Sequence, residues 1–280
     1  MLHCPFHSLR RNAILAYATL ANVGTLLAYS GDSCAAEPLE TETANTLKGG
    51  VLQTEAVAEY QTSADGTEVA APIAIEYGIL DDLEFLVEPV FYTSISPTGG
   101  PTHKGLGDLE MTSTFRFIHN DWADGGFIPN VALAAEVKIP TARDPFIGTG
   151  KFDYTGIVIV SEQLGSFDVH ANIGYSVLGQ PAGVQLRNIW SFAGAVVLHA
   201  GARVDVLAEL LASTSALPSG SGEAPEGGAN PEIAGEEVVG MLGMRYYLVP
   251  KTGWLSLAGT YDNNDAFLVR TAISWRFATY

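Results

Sequence analysis

The chain has 280 residues, 47% of them hydrophobic, with 14 Lys and Arg against 31 Asp and Glu for a net charge of −17. Such acidity excludes a nucleic-acid-binding surface, which needs clustered bases. Two cysteines, Cys4 and Cys34, are too few for a disulfide-rich scaffold or a thiolate metal centre.

Arg10 and Arg11 precede an apolar run from Ala13 to Tyr29, which is followed by the small residues Ser33-Cys34-Ala35-Ala36. A basic start, an apolar core and a small-residue site describe a cleaved secretory signal peptide over 1–36. The alternative is an uncleaved anchor, for which the run is short. Gly31-Asp32-Ser33 before Cys34 is a poor lipoprotein box, which argues against a lipid-anchored terminus. Cleavage removes both cysteines with Arg10, Arg11 and Asp32, and leaves 12 bases against 30 acids on the 244 residues from Glu37. A short N-terminal periplasmic segment is expected over 37–47. No later apolar stretch has the length of a spanning helix.

From residue 48 to 280 the pattern is one of strands. Twelve are expected: 48–62, 67–77, 83–95, 105–118, 127–140, 154–164, 167–178, 187–199, 202–213, 232–248, 254–261 and 265–277. Each is about as long as a tilted membrane strand. Tight breaks at Ala64-Asp65-Gly66, Gly165-Ser166, His199-Ala200-Gly201 and Asn263-Asn264 carry hairpin residues. The long breaks, 96–104, 141–153, 179–186 and 214–231, all follow odd-numbered strands. They therefore share one end, as the outer loops of a membrane barrel do. The break at 119–126 is a middling turn on the other side.

Period-2 alternation separates two faces on nearly every strand. In the last, Phe267, Val269, Ile273, Trp275 and Phe277 oppose Leu268, Arg270, Ala272, Ser274 and Arg276. Glu84 and Glu88 oppose Leu83, Phe85 and Val87; Glu110 and Arg116 oppose Leu109, Phe115 and Phe117; Glu136 and Lys138 oppose Val131, Leu133 and Val137. Asp168 and His170 oppose Val169 and Ile173, and Arg203, Asp205 and Glu209 oppose Val204, Val206 and Leu210. A soluble β-sandwich would show the same alternation. Long strands, scarce lysine and charges of both signs at one parity favour an all-β, antiparallel, up-and-down transmembrane β-barrel of about twelve strands.

Tyr77-Gly78 before Leu83–Glu88, Gly105-Leu106-Gly107-Asp108-Leu109, Val137–Ala142, Gly148-Thr149-Gly150 and His170–Tyr175 occur in that order. With these motifs the chain resembles the MetA-pathway of phenol degradation family of outer-membrane, transporter-like barrels, over about 48–277. Pro140-Thr141-Ala142 departs from the family's Pro-Thr-Gly, and the terminal aromatic is Phe277, with Tyr280 out of register. The resemblance implies outer-membrane passage of small organic molecules, aromatic ones among them. It also implies a small hydrophobic or aromatic solute, outer-membrane lipid and the barrel-assembly machinery as partners, and no nucleic acid.

No catalytic, cofactor or metal motif emerges. His170 shares a face with Asp168, but no nucleophile is identified beside it, so a polar lumen residue is the simpler reading. Asp262-Asn263-Asn264-Asp265 offers oxygen ligands to a metal but is also what a turn requires. The candidate site is therefore a lumen lined by Glu84, Glu88, Glu110, Arg116, Glu136, Lys138, His170, Arg203, Glu209, Arg270 and Arg276. These charges either set the selectivity of an open channel or pair and close it. An open channel is the expectation carried forward, with a closed structural or interaction barrel next and an outer-membrane enzyme third.

Overall fold

The computed structural model describes residues 38–120, 128–217 and 236–278. The expected signal peptide over 1–36, residues 121–127 of the expected turn, residues 218–235 and Tyr280 fall outside these residues. The strands are β1 (Val51–Ser63), β2 (Gly66–Leu80), β3 (Leu83–Pro97), β4 (His103–Gly105), β5 (Leu109–Ile118), β6 (Asn130–Ile139) and β7 (Asp153–Leu164). They continue as β8 (Phe167–Val177), β9 (Ile189–His199), β10 (Val204–Ser213), β11 (Glu237–Val249), β12 (Gly253–Asp262) and β13 (Phe267–Ala278).

Successive strands pair antiparallel, and β1 pairs with β13 to close the sheet on itself. The closing seam runs Val57–Thr62 against Ala272–Phe267, with Val51 opposite Ala278. The result is a closed antiparallel barrel of twelve strands, because β4 and β5 are two pieces of one. The alternation predicts a single strand over 105–118; the structure breaks it at Leu106–Asp108. Pro89 and Val90 of β3 explain the break. Pro89 has no N–H to give the ladder, and Gly107 instead donates its N–H to the Val90 carbonyl at 2.9 Å. A Cβ on Gly107 would lie 2.6 Å from that of Val90, so only glycine fits the approach.

Alternation decides which residues face in. Along β8, Asp168, His170, Asn172 and Ser176 are buried while Phe167, Ile173, Tyr175 and Val177 are exposed. Exposed Phe115, Leu133, Val158, Val206, Leu242 and Leu257 continue the outward belt around the cylinder. Aromatic rings flank that belt. Tyr60, Tyr154, Tyr261 and the Tyr175–Trp190 pair (centroids 4.7 Å apart) lie toward one end, and Phe117, Phe167 and Tyr246 toward the other. Apolar surface outside and polar surface inside, with aromatic girdles, is the membrane-barrel inversion of a soluble fold.

The lower lumen is filled by the chain itself. The segment 37–47, expected in the periplasm, lies inside the barrel from Pro38 to Leu47. Leu39 packs with Val197, Leu207, Met241 and Ala258, and Ala44 with Ala132, Ala134 and Ile159. The segment crosses from β10–β12 to β3 and leaves at the β2–β3 turn. There the Thr46 hydroxyl donates to the Asp81 carbonyl at 2.8 Å, and the Leu47 N–H to the Glu84 carboxylate at 2.7 Å. Its composition makes this tolerable: Leu39, Ala44 and Leu47 add apolar contacts, and threonine hydroxyls supply local hydrogen bonds.

Candidate functional site

Inside the barrel, the N-terminal segment is held by carboxylates, a serine and arginines that the strands aim inward. Glu209 on β10 accepts the backbone N–H groups of Leu39, Glu40 (3.1 Å) and Thr41 (2.9 Å), and the Thr41 hydroxyl (2.8 Å). One side chain thus satisfies three backbone donors that no ladder could pair. Arg270 on β13 contacts Glu40, with Glu55 at 3.7 Å and Glu59 at 3.9 Å. Arg276 donates to Gln53 and lies 5.2 Å over the Trp254 ring.

Ser161 and His170 form the serine–histidine contact that the sequence left unidentified, Oγ to Nδ1 at 2.8 Å. Its chemistry is spent on structure. Ser161 Oγ also accepts the Ala44 N–H at 2.8 Å, and both side chains are at most 2% exposed. A nucleophile needs access to its substrate; this pair seats the lumen segment.

Above the segment the lumen opens into a cavity of about 220 Å³. Glu40 and Glu42 form its floor, and Glu88, Glu110 and Glu136 one wall. Leu178 and Leu186 of the β8–β9 loop join Ile189, Leu211 and Val239 on the other. Lys138 lies beside this space, with Nζ 2.6 Å from Asp153 and 3.6 Å from Asp108, and donates to the Thr149 hydroxyl at 3.1 Å. Glu136 accepts the Thr155 hydroxyl at 3.1 Å.

The residues predicted to line one lumen therefore divide. Glu84, His170, Glu209, Arg270 and Arg276 grip the segment or its surroundings; Glu88, Glu110 and Glu136 face the cavity, with Lys138 beside it. Arg116 sits at the end of the barrel that carries the β2–β3 turn, 2.9 Å from Asp82. Arg203 is corrected: it is exposed in the β9–β10 turn, where its carbonyl accepts the Tyr247 N–H at 2.9 Å. It shares parity with Asp205, but the ladder begins one residue later at Val204, so its side chain lies beyond the wall.

Two residues, His199 and Arg245, were not read as lumen groups in the sequence. His199 bridges Asp168 and Asp205, at 2.9 Å to each, and Arg245 lies 3.5 Å from Asp205. Parity on β11 could have found Arg245, which shares a face with Met241. His199 needed knowledge of which strand ends are neighbours.

A closed twelve-stranded barrel with this inversion and a charged lumen is a β-barrel protein of the Gram-negative outer membrane. Solved structures of similar fold agree. The COG4313 outer membrane channel from Pseudomonas putida F1 superposes with a TM-score of 0.63 at 12% identity, covering 87% of this chain and 100% of that one. The NanC porin does so at 0.54 and 8% identity, covering 79% and 98%. The KdgM porin in complex with disordered oligogalacturonate does so at 0.53 and 8%, covering 80% and 99%. At these identities the likeness shows the fold alone. No curated protein matches the sequence. The family model described as "Putative MetA-pathway of phenol degradation" matches residues 35–214, and the chain belongs to that family.

Proposed function

We propose that the protein passes small organic molecules, aromatic ones among them, across the outer membrane. The observation that carries this reading is the cavity of about 220 Å³ in the outer half of the lumen, walled on one side by Leu178, Leu186, Ile189, Leu211 and Val239. An apolar cavity of about 150 Å³ already holds a benzene ring. The family name, with its reference to phenol degradation, points the same way. In this reading the segment from Pro38 to Leu47 is the gate: it floors the cavity and has to shift for a solute to continue. Outer-membrane lipid surrounds the belt, and the barrel-assembly machinery is the partner in biogenesis. No catalytic role is assigned, since the similar solved structures are channels and porins.

The second reading is a barrel that never conducts, favoured by the hold of Glu209 and Arg270 on the segment. Single-channel recording of the refolded mature protein separates the two. Discrete conductance steps that change on adding phenol support passage; a heat-modifiable barrel that inserts but stays silent supports the closed reading.

A further inference from the structure

His199 stands between two carboxylates at the end of the barrel that carries the β9–β10 turn. Its Nδ1 lies 2.9 Å from Asp205 on β10 and its Nε2 2.9 Å from Asp168 on β8. A neutral imidazole has one N–H and one lone pair, so only the protonated ring donates to both. The aspartate side chains are 4% and 2% exposed and the ring 34%. His199 is thus the member of this cluster that exchanges a proton with solvent.

The bridge lies under the first residues of the lumen segment. His199 is directly opposite Asp205, and on the same inward face, two residues along, Val197 is opposite Leu207. Asp168 is opposite Val197 across the β8–β9 pair. Leu39 packs on Val197 and Leu207, so the bridge frames its seat. A second link runs through side chains. Asp205 accepts the Tyr247 hydroxyl at 2.8 Å and lies 3.5 Å from Arg245, which donates to the Pro38 carbonyl at 3.4 Å. The other titratable groups facing in from β8, β10 and the segment here are His170, Glu209 and Glu40, engaged by Ser161, Thr41 and Arg270. Arg203 in the turn is exposed.

We propose that His199 is a pH-operated latch on the segment: protonated, it holds the Pro38–Leu39 end in the lumen; deprotonated, it lets that end go. Loss of the ring proton to solvent leaves one N–H for two carboxylates. Asp168, whose Oδ1 has no hydrogen-bond partner among the described residues, retains that N–H, while Asp205 still has Tyr247 and Arg245. The bare Nδ1 then faces a carboxylate oxygen, which repels it. Asp205 turns to Arg245 and draws the guanidinium from the Pro38 carbonyl, as the frame under Leu39 loosens. The proposal deepens the reading of the segment as a gate by supplying its control.

The test follows ring and segment together in the full mature barrel refolded in detergent. Histidine NMR gives the titration of the His199 ring. Hydrogen–deuterium exchange read by mass spectrometry, corrected for the intrinsic rate, gives the protection of 38–47 at the same pH values. Protection is expected to fall severalfold as pH rises through the titration of that ring. His199→Gln should remove the step, and Asp168→Asn should move the ring titration and the step together, with heat-modifiable gel mobility confirming that both variants fold. A ring that titrates with no change in protection, a step that survives His199→Gln, or a ring that keeps one state wherever the barrel stays folded overturns the proposal. Conductance across the same pH range separates latch from gate. A conductance rise that accompanies the step supports both; a step in a barrel whose conductance stays constant supports the latch and removes the segment as the gate.

Discussion

Glu209 accepts both the backbone N–H of Thr41, at 2.9 Å, and its hydroxyl, at 2.8 Å. Together with the N–H groups of Leu39 and Glu40, that contact fastens the lumen segment to β10. Glu209→Ala strips three backbone donors of their acceptor, and each buried donor so orphaned costs about 1–3 kcal/mol. The segment should come away from the wall while the barrel persists. Limited proteolysis read by mass spectrometry checks this: cleavage within 38–47 is expected in Glu209→Ala and not in the wild type. Equal protection would show that the segment does not depend on Glu209.

Gly78 lies where the segment leaves the lumen. A Cβ there would sit 2.1 Å from the Lys48 carbonyl and 2.7 Å from that of Leu47. Gly78→Ala must displace backbone, and overpacking of this kind costs about 1–3 kcal/mol. Gly156, where an added Cβ would meet nothing within 4 Å, is the matched control on another strand. The temperature of the gel-mobility transition should fall for Gly78→Ala and stay within a degree or so for Gly156→Ala, a surface-type change of small effect. The same loss in both would remove the close approach as its cause.

Lys138 is 3% exposed, with its ammonium between Asp153 and Asp108. Lys138→Met leaves two carboxylates facing each other without their cation. Breaking a buried pair by removing one partner costs about 3–5 kcal/mol, and urea unfolding of the refolded barrel should show a loss of that order. A loss under about 1 kcal/mol, the worth of an exposed pair, would mean that water reaches the site.

The loop between β6 and β7 should respond to acid. Burial works to raise the Asp144 carboxyl, but the Phe146 N–H (2.9 Å) and the His103 ring (3.0 Å) together hold it below the usual aspartate range. A lowered carboxyl contributes stability that is present above its unfolded value and lost as pH falls through its folded value. Amide exchange at Phe146, corrected for the intrinsic rate, should therefore keep its protection at neutral pH and lose it below about pH 4. Protection that stays flat across that range would mean that the Asp144 contacts do not order the loop.

The wall of this barrel was legible because a strand writes its two faces into alternate residues. Asp168, His170 and Asn172 could be assigned inward from sequence, as could Arg270 and Arg276. The segment 38–47 was not legible for the same reason: it has no strand ladder, and its burial comes from partners about 170 residues away, such as Glu209 for Thr41. Arg203 marks the limit of parity, which says which way a side chain points but not whether the wall extends that far. The break in the fourth strand needed the partner strand as well, since Pro89 and Val90 create it. Glu88 could be placed in the lumen from its parity.

The most direct test of a channel gated by its own N-terminal segment is single-channel conductance of the wild type beside Glu209→Ala, in the same bilayer and salt. The account predicts small or rare steps for the wild type and larger, more frequent ones once the segment loses its anchor. Identical conductance in the two proteins, with the variant's segment shown to be released, would contradict it.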